Sequence, residues 1–316
     1  MNREFSSFRD PAGFIYEKSG KIFRHINKSY LEHYELLMNS GLYEQLAEKE
    51  WLISHTELSD KSQDYKTITP EKIHFISYPY EWSFQQYKDA ALLTLKIQKK
   101  ALEKGMTLKD ASAYNIQFRN GKPILIDTLS FEKLEPNKPW KAYKQFCQHF
   151  LAPLALMSYC DLSLSCLMKH YIDGIPLELA SKLLPKWKSA GLFTHIHLNA
   201  FFQKRDNQSQ KNASKLSNMS LKKHIALIED LFYTVSNFKN PNPQTEWKDY
   251  YSFTNYDTAL SEKKKLVKSF LSRIPSPDSV WDLGANNGFF SRIASVRVIP
   301  TIAFDIYPMA VERNYI

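Results

Sequence analysis

Glycine is scarce in this sequence, with 9 among 316 residues, less than half of a usual share of about 7%. Each glycine is therefore expected to answer a backbone need, and two of them, Gly284 and Gly288, stand four residues apart. Cysteine is scarcer still. Cys147, Cys160 and Cys166 are odd in number and form no C-x-x-C pair, which excludes a disulfide framework and a thioredoxin-type or zinc site on that spacing. They fit a reducing compartment. Long apolar runs are missing too. The longest, Phe150 to Cys160, is interrupted by Pro153 and Ser158 and is far shorter than the ~18–20 residues of a membrane span. The opening Met-Asn-Arg-Glu-Phe has no apolar segment of a secretory signal. The expectation is a soluble, cytoplasmic protein with no membrane partner.

What is present is ordinary globular material. Hydrophobic residues make 43% and charged residues 24%, enough apolar content to exclude a wholly disordered chain. Lys and Arg number 42 against 33 Asp and Glu, a formal charge of +9. That balance fits either an anionic partner or a lysine-rich surface. The length is a prior for about two domains.

Apolar and polar residues alternate from Gly13 to Ile26 around Lys18-Ser19-Gly20, which predicts a hairpin. Tyr30 to Lys49 has helical spacing, and Ile73 to Tyr78 reads as a short strand ended by Pro79. Glu81 to Gly105 predicts a long amphipathic helix closed by glycine. Ile116–Phe118 and Pro123–Ile126 flank Asn120-Gly121, a strong two-residue hairpin signal. Lys141 to Tyr171 and Leu177 to Leu184 read as a buried helical subdomain. Gln203 to Ser220 is the best linker candidate, followed by a helix over Leu221–Phe238. Glu262–Ile274 is helical, Ser279–Leu283 a strand, Phe289–Val296 a helix, Ile299–Phe304 a strand, and Ala310 starts a helix.

The last of these segments carries the chemistry. It runs Val280-Trp281-Asp282-Leu283-Gly284-Ala285-Asn286-Asn287-Gly288-Phe289-Phe290, and ends at Asp305. Strand, acid, glycine loop, helix, strand and acid is the order of a Rossmann-like β-α-β unit. Gly284 would allow the tight turn, Gly288 a close approach of the helix to a ligand, and Asp305 two hydrogen bonds to ribose hydroxyls. The glycine spacing is not that of the dinucleotide fingerprint, and Asp282 disfavours a pyrophosphate. The stretch resembles motif I of class I S-adenosylmethionine-dependent methyltransferases, and Ala303-Phe304-Asp305-Ile306-Tyr307-Pro308 resembles the motif that follows it.

The resemblance implies S-adenosyl-L-methionine as cofactor, held by Asp282, Gly284, Asn286, Gly288 and Asp305. It implies methyl transfer to an unidentified small-molecule, glycan or macromolecular acceptor and names no catalytic residue. It also implies a larger sheet than the strand pair read here, hence a protein that continues past Ile316.

A second constellation lies upstream. Asp110 is followed by Asn115 and, across the Asn120-Gly121 hairpin, by Asp127. With the leading hairpin, a helix bearing Glu32 and Glu35, and the Tyr78-Pro79-Tyr80-Glu81-Trp82 hinge, residues 13–135 resemble a protein-kinase-like lobe. That resemblance implies that Asp110 orients an acceptor hydroxyl while Asn115 and Asp127 hold Mg²⁺ on ATP. The departures are Leu108 in place of the catalytic-loop histidine, Thr128-Leu129 in place of Phe-Gly, no glycine-rich loop, and Arg24 as the cation. In the bland alternative Asp110 and Asn115 cap a turn.

Taken whole, the chain resembles a bacterial class I methyltransferase group of the nodulation type with a long N-terminal extension. Tyr114–Phe118, Ile126–Phe131 and Phe146–Leu154 carry the likeness to that extension, and Trp247, Tyr250 and Tyr251 match an aromatic entry segment. The expected architecture is an α+β kinase-like extension with a helical subdomain over residues 1–200, a linker and connecting helix over 201–254, and the first β-α-β of an α/β Rossmann-like domain over 255–316. The alternatives are a kinase-like phosphotransferase and a substrate-presenting scaffold.

Four lesser candidates remain. His195 and His197 would share one face of a strand, a spacing that can bind metal, but no third ligand is evident. His149 reads as a core histidine. Lys263-Lys264-Lys265 is a solvated helix face or a patch that steers an anionic substrate. Aromatics make 14% of the chain, but without an arginine-interleaved stripe they support nucleic-acid binding only weakly.

Overall fold

The computed structural model describes residues 2–3, 10–58, 65–198, 219–241 and 256–316. The linker read over Gln203–Ser220 falls almost wholly outside them, as do Trp247, Tyr250 and Tyr251.

The chain opens with an antiparallel sheet of five strands: β1 (Asn2–Arg3), β2 (Gly13–Lys18), β3 (Lys21–Asn27), β4 (His55–Glu57) and β5 (Tyr65–Pro70), in the order β1-β2-β3-β5-β4. The β2–β3 hairpin pairs Gly13 with Ile26 and Lys18 with Lys21. Ser19 and Gly20 turn it with φ of 51° and 73°, the paired left-handed residues that match strand twist. Helices α1 (Leu31–Asn39) and α2 (Leu42–Glu48) follow β3. Tyr34 and Leu37 of α1 face inward, while Glu32 and Glu35 face solvent. A small core of Ala12, Ile26, Tyr30, Tyr34, Ile68 and Leu129 lies beneath the sheet.

Helix α3 (Phe84–Glu103) is the spine of the larger core. A reciprocal capping box starts it, since Gln86 N–H donates to Ser83 Oγ and Ser83 N–H to Gln86 Oε1. It ends at Gly105, whose φ is 70°. Tyr87, Ala90, Ala91, Leu95, Ile97 and Ala101 are fully buried along it. Strands β6 (Met106–Leu108) and β9 (Phe131–Lys133) pair antiparallel, and between them β7 (Ile116–Arg119) and β8 (Lys122–Leu125) form the Asn120-Gly121 hairpin. Around α3 pack α4 (Tyr143–Phe146), α5 (Ala152–Tyr159), α6 (Leu177–Leu183) and α7 (Leu221–Asn237), interspersed with irregular helical turns.

The strand expected over Ile73–Tyr78 does not form. Its side chains alternate in exposure, as a strand's would, but no neighbouring strand takes its hydrogen bonds. Gln117 supplies them instead: its Oε1 accepts Ser77 N–H and its Nε2 donates to the Ser77 carbonyl. Phe75 then leaves the segment to pack edge-on against Trp281 and Phe304.

The last described stretch is a mixed α/β unit. Helix α8 (Tyr256–Ser272) precedes β10 (Val280–Leu283), α9 (Ser291–Ser295), β11 (Thr301–Phe304) and α10 (Pro308–Tyr315). Strands β10 and β11 run parallel, with Val280 opposite Thr301 and Leu283 opposite Phe304, and α9 is the crossover that parallel neighbours require. Residues 286–290 turn before α9 begins, so the helix starts two residues later than Phe289. Among the described residues, no helix is long and apolar enough to cross a membrane.

Candidate functional site

The turn that leaves β10 is built from left-handed backbone. Gly284, Asn286 and Gly288 have φ of 80°, 49° and 76°, conformations that glycine and asparagine adopt at least cost. The loop is stitched to the far strand, because the N–H groups of Gly284 and Ala285 both donate to the Phe304 carbonyl at 2.9 Å. Asn286 N–H donates to Asp305 Oδ2 at 2.8 Å, and Tyr307 N–H to Asp305 Oδ1 at 2.9 Å. Asp282 is fixed from the side by Ser291, whose hydroxyl donates to Oδ2 at 2.6 Å.

These residues wall a cavity of about 650 Å³, within the range of small-molecule sites at roughly 300–1,000 Å³. Asp282, Gly284, Asn286 and Asp305 all line it. Gly288 does not: a Cβ there would lie 2.0 Å from Asn314 Oδ1 and 2.8 Å from Arg292 Nη1. Its small size serves packing against α10 rather than contact with a ligand. A Cβ on Gly284 would meet nothing within 4 Å. Phe290, Tyr307, Met309 and Arg313 also line the cavity and were not singled out from the sequence. Their only signal was position, two to eight residues beyond the two acids. Lys263 lines it as well, its Nζ 4.7 Å from the centre of the Phe290 ring. Of the basic run, Lys263 thus faces the cleft and Lys265 pairs with Glu262 on the helix surface.

The fit to an adenosyl cofactor can be read from this donor set. Asp305 keeps acceptor capacity beyond its two backbone bonds, because an ionised carboxylate has about four lone-pair positions. Asn286 sits across from it, and the open side of Gly284 leaves room for a chain of atoms over the loop.

The second constellation also assembles in space. Asp110 accepts from Ser112 N–H and Gln145 Nε2, and Asn115 bonds its carboxylate. Burial, followed by weaker contributions that include the Asp127 charge, raises the Asp110 pKa. Asp127 accepts from Ser130 Oγ at 2.8 Å, and the Arg24 guanidinium lies 3.4 Å from it while also pairing with Asp10. Arg24 therefore bonds carboxylates of the loops, and the outward-facing Glu32 pairs with Lys133 instead. Asp110 and Asp127 each also cap a local turn.

The two histidines expected on one strand face are in a wide helical turn, Phe193–Leu198. Positions two apart on a helix point apart. His195 bonds Tyr143 Oη and Asp230 Oδ2, whereas His197 bonds Ser181 and Ser189. Among the described residues, no three His, Cys, Asp or Glu side chains converge as a metal site. His149 is a core residue, and burial lowers its pKa to about 4.

No family model matches the chain. Among solved structures, that of vaccinia related kinase 3 aligns with 84% of this chain and 88% of its own, at a TM-score of 0.33 and 13% identity. The nodulation protein NoeA of Rhizobium meliloti (strain 1021) is 31% identical over 327 residues, which take in 99% of this chain and 68% of the relative. At that identity and coverage, the chain belongs to the family of the nodulation protein NoeA.

Proposed function

We propose that this chain binds S-adenosyl-L-methionine in the cleft walled by β10, its glycine loop, α8 and α10 and takes part in a nodulation-related methyl transfer in the cytoplasm. One observation carries the reading: four of the five residues matched to the methyltransferase motifs line a single cavity, and the Asn286–Asp305 hydrogen bond ties two of them together. When bound, the cofactor supplies an electrophilic methyl group on a sulfonium, which an O, N or C nucleophile of the acceptor can take. The chain's own part is positioning. Asp305 accepts ribose hydroxyls, the Gly284–Asn286 backbone shapes the methionyl end, and Phe290 and Met309 supply apolar walls. Three free cysteines, one buried and two exposed, fit the reducing compartment of the proposal.

Titration calorimetry of the chain with S-adenosylmethionine tests this. The expected result is stoichiometric binding, weakened about tenfold or more in Asp305→Ala by loss of charge-assisted hydrogen bonds. No heat of binding in the wild type, with the fold intact by circular dichroism, overturns it.

A second reading is favoured by the convergence of Asp110, Asn115 and Asp127. They would serve an ATP-dependent phosphotransfer, or a lobe that presents the acceptor without catalysing. Arg24 weighs toward the non-catalytic form, since its guanidinium already lies 3.4 Å from Asp127 while pairing with Asp10. Magnesium-dependent ATP hydrolysis that is lost in Asp127→Ala would establish the catalytic form. Failure to bind ATP ends it.

A further inference from the structure

Helix α10 has eight residues, yet it contacts two distant parts of the chain on its two sides. Toward the long helix, Glu312 is 3% exposed, and its Oε2 accepts the backbone N–H of Gln85 at 2.8 Å. Gln85 is the second residue of α3, so this is one of the first-turn donors that lack a partner inside a helix. A carboxylate there is favoured by both the hydrogen bond and the helix dipole. The other oxygen of Glu312 accepts Asn240 Nδ2 at 2.8 Å. One turn along α3, Tyr315 Oη donates to Asp89, whose other oxygen accepts Gln85 Nε2. The Tyr315 ring stands edge-on to Phe118.

Toward the glycine loop, the Asn314 side chain fills the space over Gly288, and the Asn314 backbone carbonyl accepts from Arg292 at 3.4 Å, which also donates to the Asn287 carbonyl at 2.6 Å. The entry to α10 is held by Tyr307 N–H on Asp305. Both halves of the cofactor cleft, the loop after β10 and the acid after β11, thus lean on a helix whose far side caps α3.

We propose that α10 links the cofactor cleft to the N-terminal region energetically, with Glu312 as the positioning residue. The inference rests on the reading of the cleft as an S-adenosylmethionine site. A ligand held by Asp305 against Met309 and Arg313 of α10 orders that helix and strengthens the cap on α3. By reciprocity, whatever stabilises that cap tightens the ligand by the same factor. Occupancy of the extension by an acceptor or partner would then be felt in the cleft without touching it.

Hydrogen exchange and calorimetry on the full chain, with S-adenosylhomocysteine as probe, test this. In the wild type the probe should slow exchange of the amides at 85–89. Glu312→Ala, which removes both acceptor oxygens, should lose that ligand-dependent protection, keep it at 284–288, and bind the probe about fivefold more weakly. A merely structural role would raise exchange at 85–89 equally with and without probe. Tyr315→Phe removes only the bond to Asp89 and should act in the same direction by about twofold. If the wild type binds the probe but both folded variants match it in affinity and protection, the coupling is refuted and the cofactor reading stands. If the wild type does not bind the probe, both readings fall together.

Discussion

Asn286 and Asp305 are separated by 19 positions and joined by one hydrogen bond of 2.8 Å, from the backbone N–H of the first to Oδ2 of the second. The bond closes the glycine loop onto the end of the neighbouring strand. It also gives Asp305 two tasks, holding the loop and facing the cavity. Substitutions at Asp305 should therefore separate by what they retain. Asp305→Asn keeps a carbonyl oxygen for one backbone N–H but loses the charge, and Asp305→Ala loses both. The expected order of S-adenosylmethionine affinity is wild type, then Asn, then Ala, with Ala weaker by about tenfold or more. Calorimetric dissociation constants that are equal in all three would remove Asp305 from the site.

The two glycines of the loop should fail differently. Both are left-handed, so alanine costs about 1–2 kcal/mol at either. At Gly288 the added Cβ also meets Asn314 Oδ1 at 2.0 Å, and the side chain of α10 must swing away, which raises the cost to about 2–4 kcal/mol. At Gly284 it meets nothing within 4 Å and stands in the cleft wall. Gly288→Ala should lower the melting temperature more, and Gly284→Ala should lose more ligand affinity for each degree of melting temperature lost. Thermal scans with and without S-adenosylhomocysteine measure both, and a common ratio for the two variants would refute the distinction.

Much of this was legible in sequence because local chemistry wrote it. Ser19-Gly20 and Asn120-Gly121 mark their hairpins through positive φ, and Gly105 marks the end of α3 in the same way, whereas the Ser83–Gln86 capping box starts that helix three residues later than Glu81. The cleft was legible for the same reason, since its turn needs glycine and its acids end strands. What escaped was set at a distance. Nothing near Ile73–Tyr78 says that Gln117, 40 residues on, takes the bonds of Ser77 in place of a strand. Glu312 reaches Gln85 across 227 positions, and in its own helix reads as a surface acid. His195 and His197 carry an alternation that fits a strand, until Tyr143 and Ser181, on different helices, draw them apart.

Arg24 should be worth more to folding than a surface cation. Its side chain is 12% exposed and lies between Asp10 and Asp127. Arg24→Met keeps the apolar stem but leaves two half-buried carboxylates without their guanidinium. The expected loss is about 1–3 kcal/mol, read as a lower urea midpoint with an unchanged slope. A double-mutant cycle with Asp127→Asn should show a coupling of at least about 0.5 kcal/mol. Additive losses would mean that the pair contributes nothing.

Stability should fall on the acid side of neutrality through His149. The ring is 1% exposed, and Nδ1 accepts the N–H of Ala113 at 3.3 Å, a bond that only the neutral imidazole can take. Burial is the chief reason its pKa drops to about 4, from an ordinary value near 6.5. Between those two pH values the unfolded chain binds a proton there and the folded chain does not. Stability is therefore complete above about pH 6.5 and declines as the pH falls to about 4, by roughly 3 kcal/mol from this ring alone. His55, also lowered to about 4 by burial, adds a change of the same sign. Urea unfolding at intervals from pH 7.5 to 4.5 should show the decline. His149→Asn can still accept through its side-chain oxygen but does not titrate, so it should flatten the pH dependence while lowering stability at pH 7.5. Carboxylates contribute equally to both proteins, so the difference in slope isolates the ring, and parallel profiles would assign the acid sensitivity elsewhere.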